Sequence, residues 1–334
     1  MKLSMRRIGA SLGLVLALAA CDHNPPRDQT PQLPGALADQ VAALNARSLA
    51  VQTLKARGRL SLEWQDRDGH HRQSADAVLL VQRQLLVAPA NPANGMLPLA
   101  RDPEALVALI GSFSGTEVLE MGVNAQAHWM AFHTDPKRAY VGKVGLPRGE
   151  KPANPAAADM APFRADRVLE VLGLSVLGPR ALAGAPAEGV AQRARIDSSS
   201  QSTARTVTLI VYQPAVAESG NSGVSGTWWK QREIVLSKAT GRIEEIRTFH
   251  PDGSPEAVAR LSEYYALKTG AKDRAGDDAT IWMAHRIQVD YPGRHANVDL
   301  ALSTIRLNVE VPAKAFELPD FQEQGLPVVD VDRP

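Results

Sequence analysis

The chain has 334 residues, 44% of them hydrophobic and 22% charged, with 37 Lys plus Arg against 36 Asp plus Glu. A formal charge of +1 excludes the basic footprint that nucleic-acid binding requires, and a single cysteine, Cys21, excludes internal disulfides and a cysteine metal cage. Aromatic residues make up only 5%, so the five tryptophans, Trp64, Trp129, Trp228, Trp229 and Trp282, are worth placing; each falls in or beside a predicted strand.

Lys2, Arg6 and Arg7 precede an apolar run from Ile8 to Ala20, too short for a permanent membrane span, that ends at Leu18-Ala19-Ala20-Cys21. This pattern predicts a secretory signal over residues 1–20, with Cys21 in a position that resembles the acylated cysteine of bacterial lipoproteins. Two or more acyl chains hold a protein at a membrane stably, each buried methylene contributing about 0.8 kcal/mol. Loss of the leader takes the formal charge from +1 to −2. Residues 21–34 then carry four prolines without apolar periodicity and read as an extended tether.

Leu37, Val41, Leu44, Leu49, Val51 and Leu54 recur at helical spacing and predict an amphipathic helix from Leu37 to Leu54. Leu60, Leu62 and Trp64 alternate with polar residues into the turn Asp66-Arg67-Asp68-Gly69, which leads to a second strand from Gln73 to Gln82. Proline-rich residues 88–103 read as a loop. Strands follow over Leu106–Ile110, Glu117–Met121, His128–His133 and around Tyr140, with a turn at Gly122–Asn124 and a second loop from Pro147 to Pro162. A short helix from Arg164 to Leu172 has Gly173 in the C-cap position. The remainder reads as strands: Val190–Ile196, Thr206–Tyr212, Trp228–Ser237, Ile243–Phe249, Ala257–Leu267, Ile281–Tyr291 and Val298–Val311, with a Ser/Gly-rich loop over 218–227. In the last of these the apolar parity slips from Leu302 to Ile305, which predicts a bulge near Ser303.

A search for catalytic constellations finds none. Gly111-Ser112-Phe113-Ser114-Gly115 and the run Gly220–Gly226 are not G-x-S-x-G and read as turns. His70 and His71 are adjacent, point apart on a strand and have no spaced partner ligands, and Asp66–Gly69 has too few oxygens for a calcium loop. Glu244 and Glu245 face opposite sides. The expectation is therefore a protein without catalytic, metal or cofactor sites. Consecutive strands joined by tight turns predict one strongly curved antiparallel sheet, a half-open β-barrel, with the two helices on its concave side. Trp64, Trp129, Trp228, Trp229 and Trp282, with Leu60, Leu62, Ile287 and Val289, are the candidates to line an apolar cavity for acyl chains; periodicity alone does not distinguish that cavity from a filled core.

Gly122-Val123-Asn124 with Trp129 and Gly142, then Arg167–Gly173, resemble a group of planctomycete-type lipoproteins. Arg242–Phe249 with Asp252-Gly253, Tyr264-Tyr265, and Asn308 through Phe316-Glu317-Leu318-Pro319 are similar to the closing section of the LolA/LolB-like lipoprotein-carrier and receptor superfamily. The resemblance covers residues 37–319 and implies an eleven-stranded half-barrel capped by helices, whose cavity binds lipid chains in the carriers and receptors. This chain departs from them in its length, in its proline-rich insertions, and in offering no match for a protruding leucine loop. The combined expectation is a signal peptide (1–20), a tether (21–34), a curved-sheet domain (35–320) and a C-terminal tail (321–334). Such a protein is anchored through Cys21 to the inner or outer membrane with its body in the periplasm, and binds a lipid or a lipoprotein acyl chain. The alternative is an envelope structural or sensing protein with a filled core and a protein partner.

Overall fold

The computed structural model of the chain describes residues 37–66, 69–86, 99–135, 137–144, 165–177, 193–196, 205–214, 228–272 and 276–331. The expected signal, Cys21, the expected tether and most of the expected proline-rich and Ser/Gly-rich loops lie outside these residues. Mainly β, the fold is one large curved antiparallel sheet with few helices, as the alternation of residues predicts. A helix α1 (Leu37–Leu49) leads into a first meander of six strands: β1 (Thr53–Asp66), β2 (Gly69–Leu86), β3 (Leu99–Phe113), β4 (Thr116–Val123), β5 (Ala127–Phe132) and β6 (Arg138–Lys143). A 3-10 turn (Ala165–Arg167) and a short helix α2 (Val168–Val171) follow. The second meander is β7 (Arg193–Ile196), β8 (Thr206–Pro214), β9 (Trp228–Ser237), β10 (Ile243–Phe249), β11 (Pro255–Lys272), β12 (Asp278–Tyr291) and β13 (Ala296–Leu307), with β14 (Val328–Asp330) last.

The sheet order is β14-β6-β5-β4-β3-β2-β1-β13-β12-β11-β10-β9-β8-β7. The first meander therefore runs outward from β1, and the second starts at the far edge and returns inward until β13 pairs with β1. The chain between β6 and β7 must cross from one edge to the other, and residues 165–177 of that crossing lie over the face that α1 also covers. The main core is under this cover, where Leu54, Leu60, Leu62 and Trp64 of β1 meet Leu209, Ile234, Ile243, Leu261, Ile287, Leu169 and Leu174.

Several expectations shift in the structure. The helix stops at Leu49 and Leu54 is already strand. Val51 and Leu54 fit a helical stripe, but Leu54 and Ala56 also continue the alternation of β1, and Asn308 at the end of β13 captures the intervening chain. Its Oδ1 accepts from Gln52 N–H at 2.8 Å and its Nδ2 donates to the Ala50 carbonyl at 2.9 Å. Strand β3 begins at Leu99, inside the stretch expected as loop, and the turn expected at Gly122–Asn124 comes later because Gly122 and Val123 still pair in β4. Strand β13 ends at Leu307 instead of Val311. The tail expected from residue 321 joins the fold. Phe321 and Leu326 pack with Trp129, Ala131 and Ala139 on the opposite, convex face, and β14 pairs in parallel with β6.

Local signals in other places give the observed structure directly. Ser303 is the unpaired residue of a bulge, between the pairs Arg57↔Thr304 and Gly58↔Leu302. Opposite it Gly58 is obligatory in size, since a Cβ there would meet the Ala301 carbonyl oxygen at 2.1 Å. Gly173 ends α2 with φ +66°, its N–H bonded to the Glu170 carbonyl and that of Leu174 to Leu169, the reciprocal pair of a Schellman cap.

Candidate functional site: the concave face and its cover

The apolar concave face of the sheet is closed by two pieces that are not sheet, α1 and residues 165–177. Residues 165–177 bury Leu169, Leu172, Leu174 and Leu177 in the core, and a network of buried polar contacts fastens both pieces to the sheet and to each other. Arg83 on β2 and Glu104 on β3 form an ion pair of 2.7 Å with side chains only 1% and 5% exposed. The Arg83 guanidinium also donates to the carbonyls of Ser48 (2.8 Å), Val51 (3.0 Å) and Leu174 (2.7 Å). Glu104 accepts from Ser175 Oγ (2.8 Å) and Val176 N–H (2.7 Å). Each charge is therefore surrounded by dipoles of the opposite sign, the condition under which a buried ion pair is tolerated. Asn45 of α1 pairs its side-chain amide with both backbone groups of Leu177, each at 2.7 Å, as a strand would. Arg47 donates to the Gly173 carbonyl. Burial pulls the Arg47 guanidinium down in pKa and pushes the neighbouring Tyr264 phenol up to about 12.

Beneath α1, between Leu44 and the sheet residues Ile234, Ile243 and Ile246, is a cavity with room for about one water molecule, also lined by the buried Glu170 and Arg232. None of the tryptophans lines it.

The structure divides the predicted lining residues. Leu60, Leu62, Trp64, Ile287 and Val289 do share the main core. Trp64 is 1% exposed and stacked between His71 and Phe132, each with ring centroids 5.0 Å away, so it fills space there. Trp129 is equally buried but on the convex face, because it alternates with Met130 and Phe132, which take the concave side. Trp228 and Trp229 are half-buried at the start of β9, and Trp282 is half-buried with the Arg242 guanidinium 3.9 Å above its ring. The five tryptophans thus do not converge. His70 and His71 do not share a ligand site either: His70 Nε2 sits 2.8 Å from Glu63 on the surface, and His71 lies against Trp64.

Sequence reasoning missed Arg83 and Glu104. A signal was present, since each is the lone charge of its stretch, Arg83 between Gln82 and Gln84 in Val78–Leu86 and Glu104 in the otherwise apolar Pro103–Ile110, and the two are of opposite sign. No helix among the described residues is long and apolar enough to cross a membrane.

No protein-family model matches the sequence, and no curated protein matches it. Among solved structures, a domain described as an outer membrane lipoprotein-sorting protein from Vibrio parahaemolyticus is similar over 83% of this chain and 94% of that chain, at 10% identity and a TM-score of 0.40. A DUF1329 family protein from Desulfovibrio piger is similar over 84% and 95%, at 8% identity and 0.44. A LolA superfamily protein from Nitrosomonas europaea is similar over 83% and 97%, at 10% identity and 0.40.

Proposed function

We propose that the chain is a lipid-anchored protein of the cell envelope that takes an apolar ligand, a lipid or a lipoprotein acyl chain, against the concave face of its sheet, with α1 and residues 165–177 as the cover that the ligand displaces. The observation that carries this reading is the make-up of the cover. The buried stripe of α1 is Gln40, Leu44, Asn45 and Ser48, three polar residues to one leucine. Such a helix is fastened by directional hydrogen bonds, each worth roughly 0.5–1.5 kcal/mol net because water replaces them when they open. The sheet beneath it is apolar, and an acyl chain laid there gains about 0.8 kcal/mol per methylene. The predicted signal and the position of Cys21 support a location at a membrane, with the body on the periplasmic side.

Native mass spectrometry of the full chain after gentle extraction tests the ligand: a bound lipid, and a rise in unfolding temperature with added fatty acid, are expected. Absence of both favours the second reading, an envelope structural or sensing protein that contacts another protein. The sealed packing of Trp64 against Phe132 supports that alternative. The anchor is tested separately. A Cys21→Ser protein is expected to lose palmitate labelling and membrane association, and labelling that persists removes the anchor from the account.

A further inference from the structure

Two carboxylates and an imidazole meet on the convex face, away from the covered concave face. In a regular strand Glu117 and Glu120, three positions apart, point to opposite faces. In β4 they do not, because Gly111 pairs with Leu119 while Ser112 pairs with Glu117, leaving Val118 as the extra residue of a bulge that reverses the strand's parity. His133 is the first residue after β5 and is tied to that bulge, its N–H donating to the Val118 carbonyl at 3.0 Å. Its Nε2 lies 3.1 Å from Glu117 Oε1 and 4.0 Å from Glu120 Oε2. One ligand atom from each of the three residues lies within 4.8 Å of the others, and all three side chains retain a path to solvent.

A second observation comes from Trp129, which is 1% exposed. Gly122 makes room for it, since a Cβ at that position would come within 2.2 Å of the indole. The indole N–H is enclosed, completes no hydrogen bond of good geometry and faces the Glu120 carboxylate. It is placed to orient that carboxylate from behind.

We propose that Glu117, Glu120 and His133 form a binding site for a divalent transition-metal ion, with Zn²⁺ the best match and water completing the coordination. One imidazole nitrogen and two carboxylate oxygens are the mixed donors that zinc accepts, three protein ligands with an open position being a common zinc arrangement. Calcium and magnesium require oxygen-only shells. Trp129 acts as the outer partner that fixes a ligand's orientation.

Isothermal titration of the full chain in detergent with Zn²⁺, after chelator treatment, tests the site. One equivalent is expected to bind with a Kd on the order of micromolar or tighter. Glu117→Gln and His133→Asn should each weaken binding by about tenfold or more, while His70→Asn, which alters the exposed pair with Glu63, leaves it unchanged. Thermal unfolding without metal confirms that the variants fold, and a zinc-induced rise in unfolding temperature should be present in the parent and absent from the two site variants. Failure to bind zinc at about 100 μM, or binding that survives both site substitutions or is lost equally in His70→Asn, overturns the proposal.

Discussion

Arg83 and Glu104 are the residues whose chemistry the fold most depends on, because each is enclosed and each is the other's counter-charge. Arg83→Ala leaves the Glu104 carboxylate buried without its partner and should cost about 3–5 kcal/mol in urea unfolding. Arg83→Met combined with Glu104→Leu should cost less than the two single substitutions added together, since neither charge is then stranded. Glu120 gives a pH signature. Its folded pKa of about 7 lies above the ordinary 4.5, so the native state holds the extra proton between those values and stability falls as pH rises through that window. With chelator present, Glu120→Gln should therefore be more stable than the parent above pH 7, by roughly 1–2 kcal/mol once solvent screening is allowed for, and equal to it in acid. A stability difference that is independent of pH would contradict this assignment.

At the scale of elements, the cover and the sheet are expected to differ in how readily they open. Asn45→Ala removes both hydrogen bonds that hold Leu177 to α1 and leaves the Leu177 backbone groups buried without those partners, a loss of about 1–3 kcal/mol. Hydrogen exchange should then quicken in α1 and residues 174–177 while β1, β12 and β13 stay protected, and acyl-chain uptake should become faster. Exchange that rises evenly over the whole chain would mean the cover is an integral part of the core. The two bulges show how unevenly such elements can be read. The one at Ser303 was legible because apolar residues on both sides of it reveal the change of parity. The one at Val118 was not, because only the polar Thr116 and Glu117 precede it in β4, and polar residues do not report which face they occupy. For the same reason Glu117, Glu120 and His133 gave no sign of meeting.

Across the whole molecule, the two meanders close on each other at β1 and β13, and the segment after β13 runs beneath the convex face to the β6 edge. Phe316 packs on Leu80 and Ala108, and further along Phe321 and Leu326 cover Trp129. A chain ending at Pro319 should lose at least about 3 kcal/mol of stability and show a red-shifted tryptophan emission as Trp129 meets water. Unchanged emission would mean that this segment adds nothing to the burial of the indole. The amino-acid sequence by itself determined most of the strands, the Gly173 cap and the curved antiparallel sheet, because alternation, turn chemistry and capping act between residues a few positions apart. Only the tertiary structure decided which face each tryptophan takes, where α1 ends, how the last residues rejoin the sheet, and that Arg83 meets Glu104 and His133 meets two glutamates. Those outcomes depend on register with a partner strand and on contacts between segments up to 258 positions apart, as at Ala50 and Asn308. No local pattern encodes such contacts.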